Sequence, residues 1–374
     1  MFDNTFTPEQ QMLHQMVKDF TAKEVAPFDM AIDQKGDFTD GLFQKLIDNG
    51  FLGLTLPEEY GGAAFDPIAT ATTINDLAYG NASVGVTLEG HYKTLDQLMK
   101  YGNENIQKEY LDSANHRIFA FSNTEPSGGS NPTGISSTAV KEGNKWIING
   151  DKVMITNGGL AEVYIILVKS GENEFSCFLI DKDMPGFSFG KREDFIGLRG
   201  TPVGEVVMNN IEVSEDHLIG KRGQGLEIAD QAHDDARILM GAVLTGIMEH
   251  ALKIASDYAK QRKALDTPLT DLQVIQEKIA NIAISKELTK LVYQQAAIRK
   301  QNGQPYMEEA AMAKTFGSRS AVKAGDDALQ VLAGYGYSRE YPIEHLIRDA
   351  RALEIAEGTV EKMRTAIAKA EFEK

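Results

Sequence analysis

The stretch RIFAFSNTEPSGGSNPTGISSTAVKEGNKWIINGDKVMITNGG, residues 117–159, is where the periodicity of the chain changes. It opens on a short apolar run and then crowds Gly, Ser, Pro and Asn together. Beyond that come strand-like runs separated by NGD and NGG, which read as turns. VYIILV, FSCFLI and VGEVVMNNIEV continue in the same way, so residues 117–225 read as a mainly β domain. Cys177 in FSCFLI is the single cysteine; it reads as a buried strand residue and has no partner for an internal disulfide.

On both sides the period is helical. Residues 1–116 read as an N-terminal helical domain that starts at Thr7-Pro8-Glu9-Gln10, with Thr7 as cap and Gln10 closing a capping box. Met12, Leu13, Met16, Val17 and Phe20 then recur at helical spacing until Pro27 breaks the run. A second helix around GLFQKLIDNGF stops at Gly50, and another starts near Pro67. Residues 226–374 read as a C-terminal helical bundle, with three long helices joined by the breakers DTPLTD and NGQP. The fold class expected is therefore α+β and multidomain: helices, a β domain, helices.

Charge narrows the function. Lys+Arg number 38 against Asp+Glu 54, a formal charge of -16, so no basic surplus exists to meet nucleic acid or an anionic membrane. Seven histidines lack metal-ligand spacing. MFDNTFTPEQ is no signal peptide and no uncharged apolar run reaches membrane-spanning length, which gives the cytoplasm as the expected compartment.

Several local features carry two readings each. In RDARALEIAEGTVEK, residues 348–362, Glu354, Glu357 and Glu361 share a helical face if the segment is helical, and Gly358 is either a cap or a gap left for a ligand. SGGSNPTG, residues 127–134, is either a polar loop or a set of amides and hydroxyls, with Thr124 and Ser130, around an anion or carbonyl edge. Trp146 and Met154 read as hairpin core. Arg237, beside Asp234 and Asp235, is an ion-pair anchor or a phosphate contact, and Arg262 a helix-end charge or a ligand contact. Gly334 and Gly336 allow close backbone approach or a helix exit.

In their order LPEEYGG, NTEPSGGSNPTG, KWIINGDKVMITNGG, GLRGTP, QRKALDTPLTDLQ, LQVLAGYGYSREYP and RDARALEIAEGT resemble the acyl-CoA dehydrogenase family over nearly the whole chain. The resemblance implies FAD as cofactor, an acyl-CoA substrate, an electron-transfer flavoprotein as electron partner and a homotetramer built from dimers. Glu357 would take the α-proton of the thioester, with Gly358 giving the ligand room. The thioester carbonyl would rest on the Glu357 amide, and an apolar pocket would bring the carboxyl closer to its task. Phe121, Asn123, Thr124, Met154 and Thr156 would lie along the flavin, with Ser130 toward phosphate or pantetheine. Arg262 and Gln330 to Gly334 would hold the dinucleotide from a partner subunit, with Thr359 near it, and Asp234 and Arg237 would contact CoA.

Three positions depart from the family pattern: Asn131 for the usual Asp, Met154 for a tryptophan, and Leu265-Asp266 for Phe-Gly. Ala236 removes the alternative base that one branch carries before Arg237, and Ala356 stands where relatives often have tyrosine. Glu89, His91, Tyr92 and Lys93 fall at the expected floor of the acyl pocket, which points to a short or polar acyl group or to a distorted helix. The function expected is α,β-dehydrogenation of a short-chain acyl-CoA. The alternatives are an enoyl-CoA reductase of the same family and a catalytically altered CoA-binding scaffold. Length counts against an oxygen-using acyl-CoA oxidase.

Overall fold

The computed structural model describes residues 6–374. Its first helices are α1 (Pro8–Phe20), α2 (Asp29–Lys35), α3 (Leu42–Asp48), α4 (Pro67–Gly80), α5 (Ala82–Tyr101) and α6 (Glu104–Leu111). The capping box at Thr7 and Gln10 is present in both directions. Leu13, Val17 and Phe20 face the core, whereas Met12 and Met16 of the expected apolar stripe are exposed. Pro27 does not end the helical run. The chain passes through a π turn at Thr21–Val25 and a 3-10 turn at Ala26–Phe28 into α2, because a proline in a first turn sacrifices no helical hydrogen bond.

The strands are β1 (Phe119–Ser122), β2 (Thr138–Glu142), β3 (Lys145–Thr156), β4 (Val163–Gly171), β5 (Glu174–Asp181), β6 (Phe187–Arg192), β7 (Val203–Ser214) and β8 (Leu218–Ile219). They pair in the order β6-β7-β3-β2-β4-β5-β8, with β1 parallel to β4. The sequence NGD is not a turn. It lies inside β3, where the register against β7 slips between Ile148 and Gly150 and again between Lys152 and Ile155; such bulges keep the strand continuous while re-aiming its side chains. NGG does form the turn after β3. Trp146 is fully buried, but Met154 is half exposed at a positive φ of 58°, so only the first of that pair is core. Cys177 is buried on β5.

Helices return with α7 (Gly225–Gln261), followed by a small hairpin of β9 (Lys263–Ala264) and β10 (Thr267–Pro268), then α8 (Gln273–Gln301), α9 (Met307–Leu332), α10 (Ile343–Ala352) and α11 (Val360–Phe372). By length and hydropathy α7 could cross a membrane, yet its apolar stretch is mostly buried, packed against α4, α5, α8 and α9. One apolar cluster runs from α1 through the sheet into α7–α10, so the three parts share a core. His345 also ties them: it meets Asp29 of α2 at 2.8 Å and Asp349 at 3.2 Å, and Asp349 accepts the Leu198 N–H at 2.5 Å.

Candidate active site

α5 is a regular helix whose polar residues point two ways. His91 and Tyr92 stitch it to its surroundings: His91 accepts the Phe119 N–H at 3.1 Å through Nδ1 and meets Leu52 O through Nε2 at 2.9 Å, while Tyr92 donates to Phe51 O at 2.5 Å. Burial pulls His91 down to about 4, so it stays neutral. Glu89 and Lys93, one turn apart, face the segment between α10 and α11 instead. No distortion of the helix accounts for them.

That segment overturns the expected acidic face. α10 ends at Ala352, α11 starts at Val360, and Glu357 between them has a φ of 54°. A left-handed, non-glycine residue is costly, and strain of this kind concentrates at functional sites. Here it aims the side chain inward and away from the direction of Glu354 and Glu361. The Glu357 N–H has no backbone acceptor among the described residues, leaving it available to a ligand carbonyl. Gly358 follows at φ 93°, a conformation that itself calls for glycine.

The Glu357 carboxylate is buried and held from two sides. Lys93 Nζ donates to Oε1 at 2.5 Å and His233 Nδ1 lies 2.6 Å from Oε2. His233 Nε2 in turn lies 3.1 Å from the Asn123 side-chain amide, so the ring is held between Glu357 and the end of β1. Burial alone would raise Glu357; the charges and hydrogen bonds of Lys93 and His233 outweigh it and hold the carboxyl below the usual range. The pocket around the carboxylate is therefore charged, contrary to the apolar one expected.

Around this carboxylate the contacts close a ring. Asn123 and Thr124 follow β1, and Thr124 O accepts the Val153 N–H of β3 at 2.9 Å. β3 ends at Thr156, and a side chain at Gly90 would stand 3.1 Å from Thr156 and from Asn157. One turn along α5 from Gly90 is Lys93, which returns to Glu357.

The structure sorts the remaining candidates. Phe121 is buried in a second apolar cluster on β1, and Thr156 is half-buried. Ser130 and Asn131 are exposed on the loop after β1, where Asn131 accepts from Thr133 N–H at 3.2 Å. Arg237 pairs with Asp234 and donates from Nε to the Glu357 backbone O at 3.1 Å, so the pair is anchored to the backbone of the left-handed residue. Asp234 is pushed up to about 6, burial outweighing Arg237. Thr359 caps α11, accepting the Lys362 N–H at 3.3 Å. Arg262 and Asp266 are exposed at the far end of α7, and Arg262 lies roughly 40 Å along the helix from His233. Gln330 and Gly334 are exposed at the far end of α9.

Sequence reading missed His233 and Lys314. Lys314 of α9 is fully buried; it donates to Glu354 O at 3.1 Å and to Gly358 O, and burial brings it down to about 8. His233 sits four residues before Arg237, one helical turn, and that spacing was its only signal.

A flavin suits this ring. Ser122 Oγ, Asn123 Oδ1 and Asn157 Oδ1, at the ends of β1 and β3, are buried without a partner among the described residues, and buried polar atoms are ordinarily satisfied. A ligand presenting its own donors and acceptors there, as a pyrimidine edge does, meets that need.

Comparison with known proteins gives the class. The acyl-CoA dehydrogenase N-terminal domain matches residues 7–115, the middle domain 120–211 and the C-terminal domain 223–372. The chain belongs to the acyl-CoA dehydrogenase family: it is a flavin oxidoreductase acting on CH–CH bonds, with FAD as its cofactor. It is 38% identical to an acyl-CoA dehydrogenase of Bacillus subtilis over 97% of this chain and 98% of that one. Against the human mitochondrial short-chain specific acyl-CoA dehydrogenase the identity is 35%, over 98% and 91%. The solved butyryl-CoA dehydrogenase of Megasphaera elsdenii superposes with a TM-score of 0.95 at 31% identity, covering 98% and 99%.

Proposed function

We propose that the chain dehydrogenates a short-chain acyl-CoA to the trans-2-enoyl thioester, with Glu357 as the base that removes the α-proton. The observation that carries this is the left-handed Glu357, whose carboxylate is buried and whose N–H has no acceptor among the described residues, so that one residue would meet both the α-carbon and the thioester carbonyl. Bound FAD would accept the β-hydride. His233 holds one carboxylate oxygen and Asn123 holds His233, which fixes the direction of proton removal relative to the end of β1. Asn123, Thr124 and Thr156 would line the cofactor on the β side. Arg237, held on the Glu357 backbone, and Asp234 beside it would meet the CoA arm.

Glu89 and Lys93, buried beside Glu357, would leave room for only a short acyl group; the short-chain and butyryl-CoA relatives support the same reading. The separation of Arg262, Gln330 and Gly334 from Glu357 within one chain supports their serving the cofactor of another copy, in a homotetramer built from dimers. The exposed Met154 beside Thr156 would form the exit to an electron-transfer flavoprotein. The test is the absorption spectrum of the purified protein followed by anaerobic titration with acyl-CoAs of increasing length. Bound flavin bleached best by butyryl-CoA is expected. A protein that neither retains nor takes up flavin would overturn the reading.

A further inference from the structure

Lys93 is placed between two carboxylates. Its ammonium is 2.5 Å from Glu357 Oε1 and 3.3 Å from Glu89 Oε1. Glu89 is fully buried, and among the described residues neither of its oxygens has a hydrogen-bond partner that meets ordinary geometry. Two buried acids therefore compete for one cation, and the loser bears an uncompensated desolvation cost.

We propose that Lys93 is a positioning residue that changes acceptor during the reaction, holding Glu357 while the acyl site is free and moving onto Glu89 when Glu357 turns to the substrate. The inference rests on Glu357 being the base. Lys93 remains an ammonium throughout, and the proton that Glu357 gains is the substrate's α-proton. Once Glu357 has taken it and is neutral, a buried ammonium left there would lack a counter-charge, and Glu89 is the acceptor within reach. The same exchange tunes the base, because a carboxylate relieved of Lys93 binds a proton more tightly.

The groups that face this pair are few. α5 contributes Glu89 and Lys93; α7 contributes His233 on Glu357 Oε2, Arg237 on the Glu357 carbonyl, and Asp234 on Arg237. α9 contributes Lys314, bound to the carbonyls of Glu354 and Gly358, with the Glu354 and Glu361 charges acting on it. Burial, opposed by Lys93 and reinforced by Glu357, pushes Glu89 up to about 8. Above that pH an ionised Glu89 draws Lys93 away from Glu357, so flavin reduction accelerates.

Stopped-flow reduction of the flavin-loaded enzyme by butyryl-CoA between pH 6 and 9.5 tests this. The wild type is expected to show a rise centred near pH 8. Glu89→Gln keeps its flavin, loses that rise and is about tenfold slower at the alkaline end, an effect worth about one pKa unit of base tuning. Lys93→Met also loses the rise, and the acid limb of its kcat/KM profile moves up by about one pH unit or more, since burial then acts on Glu357 without the ammonium. Flavin content and thermal midpoint monitor folding, and the neutral isostere Glu89→Gln stays informative if Lys93→Met fails to fold. A wild-type profile in Glu89→Gln overturns the exchange. Glu357→Gln separates the two claims: if it still reduces flavin, the base assignment falls, whereas an inert Glu357→Gln with an unaltered Glu89→Gln removes only the exchange.

Discussion

Lys93 and Glu357 meet at 2.5 Å although 264 residues separate them, which joins a helix in the first third of the chain to a left-handed loop near its end. The carboxylate on which the proposed chemistry depends therefore requires both helical parts to be in place, and the Asn123–His233 bond adds the β part. Disturbing the Lys93–Glu357, His233–Glu357 or Asn123–His233 contact is expected to alter catalysis before it alters flavin content.

His233 gives one such case. His233→Ala removes the 2.6 Å contact to Glu357 Oε2 and leaves the Asn123 amide without its 3.1 Å partner. Flavin reduction is expected to slow by roughly 10–100-fold, the scale of lost orienting contacts at a reacting group. Single-turnover reduction with flavin content as control measures it, and a rate within twofold of wild type would remove His233 from the mechanism.

Gly358→Ala places a Cβ at φ 93°, where L residues are strained. Its nearest contact, Met363 Cε at 2.9 Å, is the end of a flexible side chain and can yield. Backbone strain dominates, at roughly 1–3 kcal/mol. Urea unfolding should show a loss of that size, together with slower flavin reduction as Glu357 is displaced.

Lys152 and Glu125 form a fully buried pair at 2.6 Å beneath the loop that follows β1. Burial would raise Glu125, but Lys152 and the Ser136 and Ser137 contacts bring it to about 2. A depressed carboxyl contributes stability that is complete above its unfolded value of about 4.3 and is lost as pH falls toward 2. Lys152→Met leaves Glu125 buried without its cation and is expected to cost about 3–5 kcal/mol. Chemical denaturation at pH 7 tests the cost, and the acid dependence should flatten in the variant.

His345 carries the opposite sign. Burial would lower it, but the hydrogen bonds and charges of Asp29 and Asp349 raise it well above its ordinary value. Stability from a raised histidine is complete below its unfolded value of about 6.5 and is lost as pH rises through the folded one. His345→Gln should flatten the alkaline side of the denaturation midpoint against pH. An unchanged slope would show that the links to α2 and to Leu198 do not depend on this charge.

The layered fold was legible in the sequence because its signals are local. Helical period, the Thr7 capping box and the return of helix after residue 223 need only neighbouring residues. What was misread depends on partners far along the chain. NGD resembles a turn, but pairing with β7 makes it a bulge. Pro27 resembles a stop, but its neighbours absorb it in a change of helix type. At the site, Glu357 stood out through its motif, whereas its φ and its hold by Lys93 and His233 arise from packing. Lys93 stands out in the sequence for its position on α5, and only the fold shows that it reaches the carboxylate; Ala356 is partly buried against the shared core and has no structural account.

The most direct measurement of the central claim is anaerobic mixing of flavin-loaded Glu357→Gln with butyryl-CoA, beside the wild type. The variant keeps the size of the side chain, and its one amide oxygen can still accept from Lys93, yet it has no carboxylate to receive a proton. We expect an unchanged flavin spectrum before mixing, substrate binding seen as a spectral perturbation, and reduction slowed by at least about 10²–10⁴-fold. Reduction at the wild-type rate would contradict the account and place the base elsewhere.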